Sequence, residues 1–556
     1  MFERSASAGP SSRGDGNEGL IGVPVMGAVS VFTRLRFYLP VLVAIVIFGA
    51  AMEMFPTVEP SAGQASSGTG TSSGISYPPG DAPGDAGVAA SGVKCAPGVR
   101  QVTWSNYAPY CQPAFPAALS NGGSTSFGVT AKTVTITLRY AITPAEQALI
   151  GSIASGTFGT LPQETEVTND FIKVFNENYN LYGRKLVLKS FAGQGDILAE
   201  DEGTGQVQAQ ADAAAAKSMG AFADLSSFMD TPPYIQALTS QQIISIGGLF
   251  DSAKLLAQSA PYEYTQGPDC EKVALESTAI VGKELQGMPA IYAGSAQLRS
   301  EKRVFGLVTP DNPMYQSCGN AEVADLAQLY HVKVATVLHY SLDLTTGADE
   351  LSNMIAKMKS AGVTTVLCGC DPVTPLQYMA DADQQGYHPE WIAIPYGNAF
   401  TRLPSQDQES HDISANNPTI PKAQEESNAV LELSGDPNAS KLPAALVQGA
   451  YAPMLMLFDG IQAAGPDLTP QTFQAGLDSL PTSGTQPESE YGVWKFSPGM
   501  VDPAASFEIT RWDPNATALD DGLKGAFVPC NGGAQYLIST ANSVLPRRQI
   551  QCPAVS

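Results

Sequence analysis

The strongest constraint on this chain is a regular alternation of strand-like and helix-like stretches from residue 134 onward. Strands are predicted at 134–140, 185–191, 221–225, 243–246, 303–308, 333–339, 363–367 and 391–394. Between them fall helical stretches: one carrying Phe171, Val174 and Phe175 on one face, then 205–219, 233–241, 320–330, 348–360 and 375–385. Thr143-Pro144-Ala145-Glu146 reads as a helix start, with a capping Thr, Pro at the first position and Glu three residues on. Such alternation implies parallel sheets covered by helices on both faces. It runs for about 130 residues before residue 262 and about as many after it, so two doubly wound sheets are expected rather than one very wide one. A helical block follows, most apolar at 444–464, and late strands are expected at 491–496 and 506–512.

Composition removes some function classes. The chain has 556 residues, 44% of them hydrophobic, enough for a large core and several domains. Its formal charge of −23 disfavours nucleic acid and anionic lipid as partners. Residues 1–36 are polar and Gly/Ser-rich, as in a disordered tail. Arg34 and Arg36 then precede an apolar run, and Glu53 and Glu59 follow it. Segment 37–55 therefore reads as a signal peptide or membrane anchor that places the rest of the chain outside the cell membrane. Residues 56–94 are expected as a flexible Gly/Ser/Pro linker, 95–129 as a disulfide-containing extension and 514–556 as a C-terminal extension.

An even count of eight cysteines in a chain built for export points to disulfides. Proximity in sequence pairs Cys95 with Cys111, Cys270 with Cys318 and Cys530 with Cys552. Cys368 and Cys370 are expected as buried thiols, because so small a ring would be strained. Enzyme signals are poor. Gly70-Thr71-Ser72-Ser73-Gly74 and Ser91-Gly92-Val93-Lys94 match catalytic patterns by letter only, in low-complexity sequence. The histidines at 331, 339, 388 and 411 lack zinc-type spacing, and no dinucleotide or phosphate-loop fingerprint is present. The chain is read as a non-enzyme, with no metal and no cofactor.

Several local pieces occur in a telling order. Phe175-Asn176-Glu177 is followed by Tyr182-Gly183-Arg184-Lys185, and 209–216 by Gly220-Ala221-Phe222-Ala223-Asp224. Gly386-Tyr387-His388-Pro389-Glu390-Trp391 and Gly449-Ala450-Tyr451-Ala452-Pro453 come later. Over residues 130–515 this order resembles the type I periplasmic solute-binding proteins, in particular the leucine/isoleucine/valine-binding branch that serves ABC importers. Cys95 to Cys111 with Asn121-Gly122-Gly123 resembles an extension of actinobacterial members. The resemblance implies an α/β fold of two doubly wound parallel-sheet lobes joined by three crossovers, near 262–265, 397–400 and 484–490. Lobe one would be 130–262 with 400–485, and lobe two 263–399 with 486–513.

The resemblance also implies a solute between the lobes, at the carboxyl ends of strands. Ser226 and Ser227 follow one strand and would either donate to the solute or cap a helix. Phe250 and Asp251 follow the next, with the same alternative for Asp251. In lobe two, Tyr315 beside Met314 would form an aromatic lid, and Asp371 would pair with an ammonium or cap the helix after Pro372. Tyr396 stands where amino-acid binders commonly carry an acid, which counts against a free α-amino acid. The implied partners are a small polar solute (an amino acid, amide or similar), an ABC permease, and the membrane through the N-terminal segment; a tethered solute sensor without transport is the alternative.

Overall fold

The computed structural model describes residues 75–555 except 145, 148–158, 227–228, 249–250, 343–346, 488, 499, 546 and 548. The tail 1–36, segment 37–55, linker residues 56–74 with the Gly70–Gly74 motif, and the site candidates Ser227 and Phe250 lie outside the described residues.

The first sheet grows from β3 (Thr133–Tyr140), where Val134, Ile136 and Leu138 recur at period two and are buried. It pairs in parallel with β4 (Lys185–Ala192) and β5 (Ala223–Asp224). β6 (Ile244–Gly248) and β7 (Glu263–Thr265) continue it, giving the order β4-β3-β5-β6-β7. Helices α1 (Leu161–Asn178), α2 (Ile197–Asp201), α3 (Gln206–Ser218), α4 (Pro232–Ser240) and α5 (Ala253–Ser259) connect these strands. α1 buries the predicted face of Phe171, Val174 and Phe175. Gly183, at φ +77°, makes the turn into β4.

α6 (Cys270–Ile280) opens lobe two, whose sheet has the order β11-β10-β8-β9, all parallel. Its strands are β8 (Phe305–Pro310), β9 (Val334–Tyr340), β10 (Thr365–Cys368) and β11 (Glu390–Ala393). Its helices are α7 (Pro313–Tyr330), α8 (Gly347–Ser360) and α9 (Thr374–Gln384). A parallel bridge from Trp391 to Asp412 leads to β12 (Ile413–Asn416). Beyond it lie β13 (Ser506–Thr517) and β14 (Lys524–Pro529), with β15 (Gln535–Leu537) also on β13, all antiparallel.

The chain then returns to lobe one through α10 (Glu426–Ser434), α11 (Ala444–Ala464) and α12 (Pro470–Asp478). Among the described residues α11 alone is long and apolar enough to cross a bilayer. It is instead a core helix: Leu455, Met456, Leu457 and Phe458 are all buried, because neighbours cover it on every side. Phe458 stacks on Phe175 of α1 with ring centroids 4.8 Å apart.

Three boundaries move from their expected places. Residues 400–416, expected in lobe one, belong to lobe two, because β12 hydrogen-bonds to β13 and Trp391 donates its indole Nε1–H to Gln408. The second crossover therefore lies between Asn416 and Glu426 rather than near 397–400. The expected strand 491–496 is only a set of bridges through Trp494, which packs in the lobe-one core together with Phe496 and Val501. The third crossover thus runs from Val501 into β13, past the expected 484–490. The first falls between Thr265 and Cys270, just beyond its expected place.

The part of the expected linker from residue 75 is ordered. β1 (Gly87–Val88) pairs with β2 (Lys94–Cys95), and Tyr77 donates to the carbonyl of Ala463 on α11. Ser91 donates its hydroxyl to the carbonyl of Gln101, so the Ser-x-x-Lys match is part of a turn. Gln462 Nε2 donates to Gln101 Oε1 and Thr125 to the carbonyl of Leu468, which stitches residues 75–129 to lobe one.

Disulfides join Cys95 to Cys111, Cys270 to Cys318 and Cys530 to Cys552. Cys368 and Cys370, expected as thiols, are also bonded. β10 ends at Cys368, and the contracted chain brings the two Cα atoms to 5.0 Å, inside disulfide range.

Candidate functional site

A cavity of about 1140 Å³ lies between the lobes and is lined from both. Its lobe-one wall comes from α2, from the loops after β5 and β6, and from α11; its lobe-two wall comes from α6, α7 and the segments after β10 and β11. Parallel strands deliver their following loops to one edge of a sheet, so both sheets present these loops to the same gap.

Asp251 lines the cavity and is 1% exposed. The helix-capping role open to it is filled by Ser252, whose Oγ accepts from Leu255 N–H at 3.2 Å. Asp251 Oδ1 consequently meets no hydrogen-bond donor of the protein. Burial, then the neighbouring Glu263 and Asp201, raise its pKa well above the ordinary carboxylate value.

Asp371 also lines the cavity, and it does cap a helix start. Its Oδ1 accepts from Val373 N–H at 2.8 Å and Thr374 N–H at 3.0 Å, and its Oδ2 from Tyr340 OH at 2.7 Å. Tyr396 lines the cavity and donates to the carbonyl of Cys370 at 2.8 Å. Tyr315 lies on the first turn of α7, hydrogen-bonded to Tyr396, with its pKa raised by burial and by Asp371 and Asp201.

Ser226 takes no part in the lining. It is fully buried, donates to Asp224 and accepts from the backbone N–H of Arg139 at 2.8 Å, tying β3 to β5. The structure therefore brings Asp251, Tyr315, Asp371 and Tyr396 to one cavity and leaves Ser226 in the sheet.

The sequence reading missed Asp201 and Asp230. Asp201 ends α2, and burial with the nearby Glu200 and Asp371 pushes its pKa up to about 7. Asp230 is 7% exposed; its Oδ2 accepts from Ser245 at 3.3 Å while Oδ1 meets no donor of the protein. Nothing local distinguishes either from a surface acid; only the run Glu200-Asp201-Glu202 hints at an unusual density of charge. Glu276 and Glu322, on α6 and α7, face the cavity as well, with pKa values pushed by burial to about 8 and about 7.

Beside this wall lies a second acidic group that supplies its own cation. Arg139, fully buried, holds Glu200 through Nη1 at 2.9 Å and Nη2 at 3.0 Å, reaches Asp212 at 3.4 Å, and sits 3.6 Å from the Tyr234 ring centroid. Outside the cavity lining, Asp383, His388 and Asp407 gather their ligand atoms within 4.8 Å, and Gln408 already engages Asp383 and His388.

Two lobes, each a parallel α/β sheet, three crossovers and a cavity between them define the architecture. The chain has the type I periplasmic binding protein fold. A substrate-binding protein of an ABC transporter from Aeropyrum pernix matches with a TM-score of 0.51 at 14% identity, over 72% of this chain and 95% of its own. The closed leucine-, isoleucine-, valine-, threonine- and alanine-binding protein of Brucella ovis gives 0.51 at 14% identity, over 74% and 97%. A fatty acid ABC transporter substrate-binding protein from Thermomonospora curvata gives 0.51 at 13% identity, over 78% and 98%. No family profile and no curated protein sequence matches this chain.

Proposed function

We propose that this protein is an extracytoplasmic receptor that traps a small solute between its lobes and delivers it to an ABC importer. The observation that carries the reading is the cavity walled by both lobes, which among the described residues are linked covalently by three short crossovers. Closure over a solute on such links gives a permease a shape to recognise. The structural neighbours are ABC transporter substrate-binding proteins, which supports the importer reading. Pairing of all eight cysteines suits an oxidising compartment. Segment 37–55 would export the chain or hold it at the membrane, with the residues up to 74 as a leash.

Native mass spectrometry of the protein purified from its own cells tests the reading, with a retained small molecule as the expected result. A protein that carries none, and whose melting temperature no solute in a broad screen raises, would overturn it. Membrane fractionation with and without residues 1–55 tests the anchor.

A further inference from the structure

The charge in the cavity wall narrows the class of solute. Eleven carboxylate residues line the cavity, against one guanidinium among the described residues. That guanidinium, Arg402, is taken by Asp521, with contacts of 2.5 and 3.0 Å. A solute carrying a carboxylate would enter without a free cation to meet it, and desolvating an anion beside other anions is strongly unfavourable.

The carboxylates are not evenly solvated surface acids. Asp251 Oδ1 and Asp230 Oδ1 are buried without a protein donor, in residues 1% and 7% exposed that line the cavity. Buried carboxylate oxygens are normally paired, and these two accept no hydrogen bond from the protein, although Arg139 behind the wall acts on Asp230 at longer range. The group also spans the gap: Asp371 of lobe two acts electrostatically on Asp201 of lobe one, which in turn acts on Asp251. Glu276 and Glu322 line the same cavity from lobe two. Between them stand apolar and aromatic surfaces, including Tyr315, Tyr396 and Phe400, which suit an alkyl body and the cation faces attached to it.

We infer that the solute is an organic cation with at least two amine or guanidine groups on an apolar body, held by Asp201, Asp230, Asp251 and Asp371 across both lobes. This rests on the receptor reading above and specifies its ligand.

The test is thermal denaturation and calorimetry on the protein from residue 75 onward and on the full chain. The probes are spermidine, putrescine and agmatine, with leucine, 4-hydroxybenzoate and calcium ion as comparisons. A polyamine or agmatine is expected to raise the melting midpoint by about 3 °C at a hundredfold excess over Kd. Asp251→Asn and Asp371→Asn should each weaken that binding at least tenfold while the free protein still melts cooperatively. Affinity should rise about tenfold from pH 6 to pH 8, because the incoming cation must displace protons from carboxyls that titrate in this range. Asp201, faced by Glu200, Asp371, Glu146 and Arg139, titrates at about 7, and Glu276, faced by Lys272, Asp502 and Asp269, at about 8.

Tight binding of leucine or 4-hydroxybenzoate, with none of the amines, would overturn the cation and leave the receptor reading standing. Stabilisation by calcium ion alone would overturn the organic class. No response to any probe, together with no retained molecule, would overturn both.

Discussion

Two acidic groups sit next to each other in lobe one and are built on opposite terms. Around Arg139, the carboxylates Glu200 and Asp212 are buried but share a guanidinium that is itself fully enclosed. Along the cavity, Asp201, Asp230 and Asp251 have comparable burial or charge density and no cation of their own in the wall. Lobe two repeats the first arrangement: Arg303 meets Glu390 at 2.6 and 2.8 Å, one charge against one. The difference teaches that this fold closes some of its buried acids with a guanidinium and leaves others with unpaired oxygens, among them Asp230 and Asp251 on the cavity and Glu263 and Asp459 away from it. Retaining several unbalanced carboxylates costs stability, so their presence in one cavity needs a reason outside the fold.

The comparison breaks most sharply at its structural half. Arg139→Met should destabilise the protein by about 4 kcal/mol, because Glu200 and Asp212 would be left buried without their cation; chemical denaturation measures it. A loss under about 1 kcal/mol would mean that water reaches this group and the contrast is false. Cys111→Ser opens the loop to Cys95 and should cost about 3 kcal/mol by loop entropy. That loss should leave affinity for the solute unchanged, since neither cysteine lines the cavity.

On the cavity side the sign reverses. Asp251→Asn should raise the stability of the free protein by about 1 kcal/mol, because it removes a buried carboxylate that the protein does not pair. A loss of stability instead would give Asp251 a structural role. pH sharpens the same point more gently. Glu276 binds its proton more tightly in the folded chain, its pKa rising from 4.5 to about 8. That contribution is fully present below pH 4.5 and is lost as pH rises to about 8. The melting temperature of the free protein should therefore fall from pH 5 to pH 8, and Glu276→Gln should flatten the fall.

Much of the architecture was legible because it rests on local pattern. Period-two apolar residues in β3 and the Thr143–Glu146 box act within a few residues; Glu146 N–H does donate to Thr143 Oγ1, and Thr143 N–H to Glu146 Oε2. β12, β14 and β15 escaped because they are short antiparallel additions, stabilised by β13 far along the chain rather than by their own periodicity. The site was half legible. Asp251 and Asp371 follow strands of open α/β sheets, where ligands gather, and so stood out. Glu200 and Asp201 are adjacent in sequence, yet one is bound to Arg139 and the other lines the cavity. No linear pattern separates them; only the position of Arg139 on β3, sixty-one residues earlier, does. Asp251 was open to two readings until Ser252 took the cap.

The segment from Ile75 to Val129 is fastened to one lobe only in the contacts described: Tyr77 to Ala463, Gln101 to Gln462, Thr125 to Leu468. Any force transmitted from the N-terminal side is therefore borne by lobe one. On the proposed receptor function, that half would be the stationary jaw, and opening would fall to the travel of lobe two.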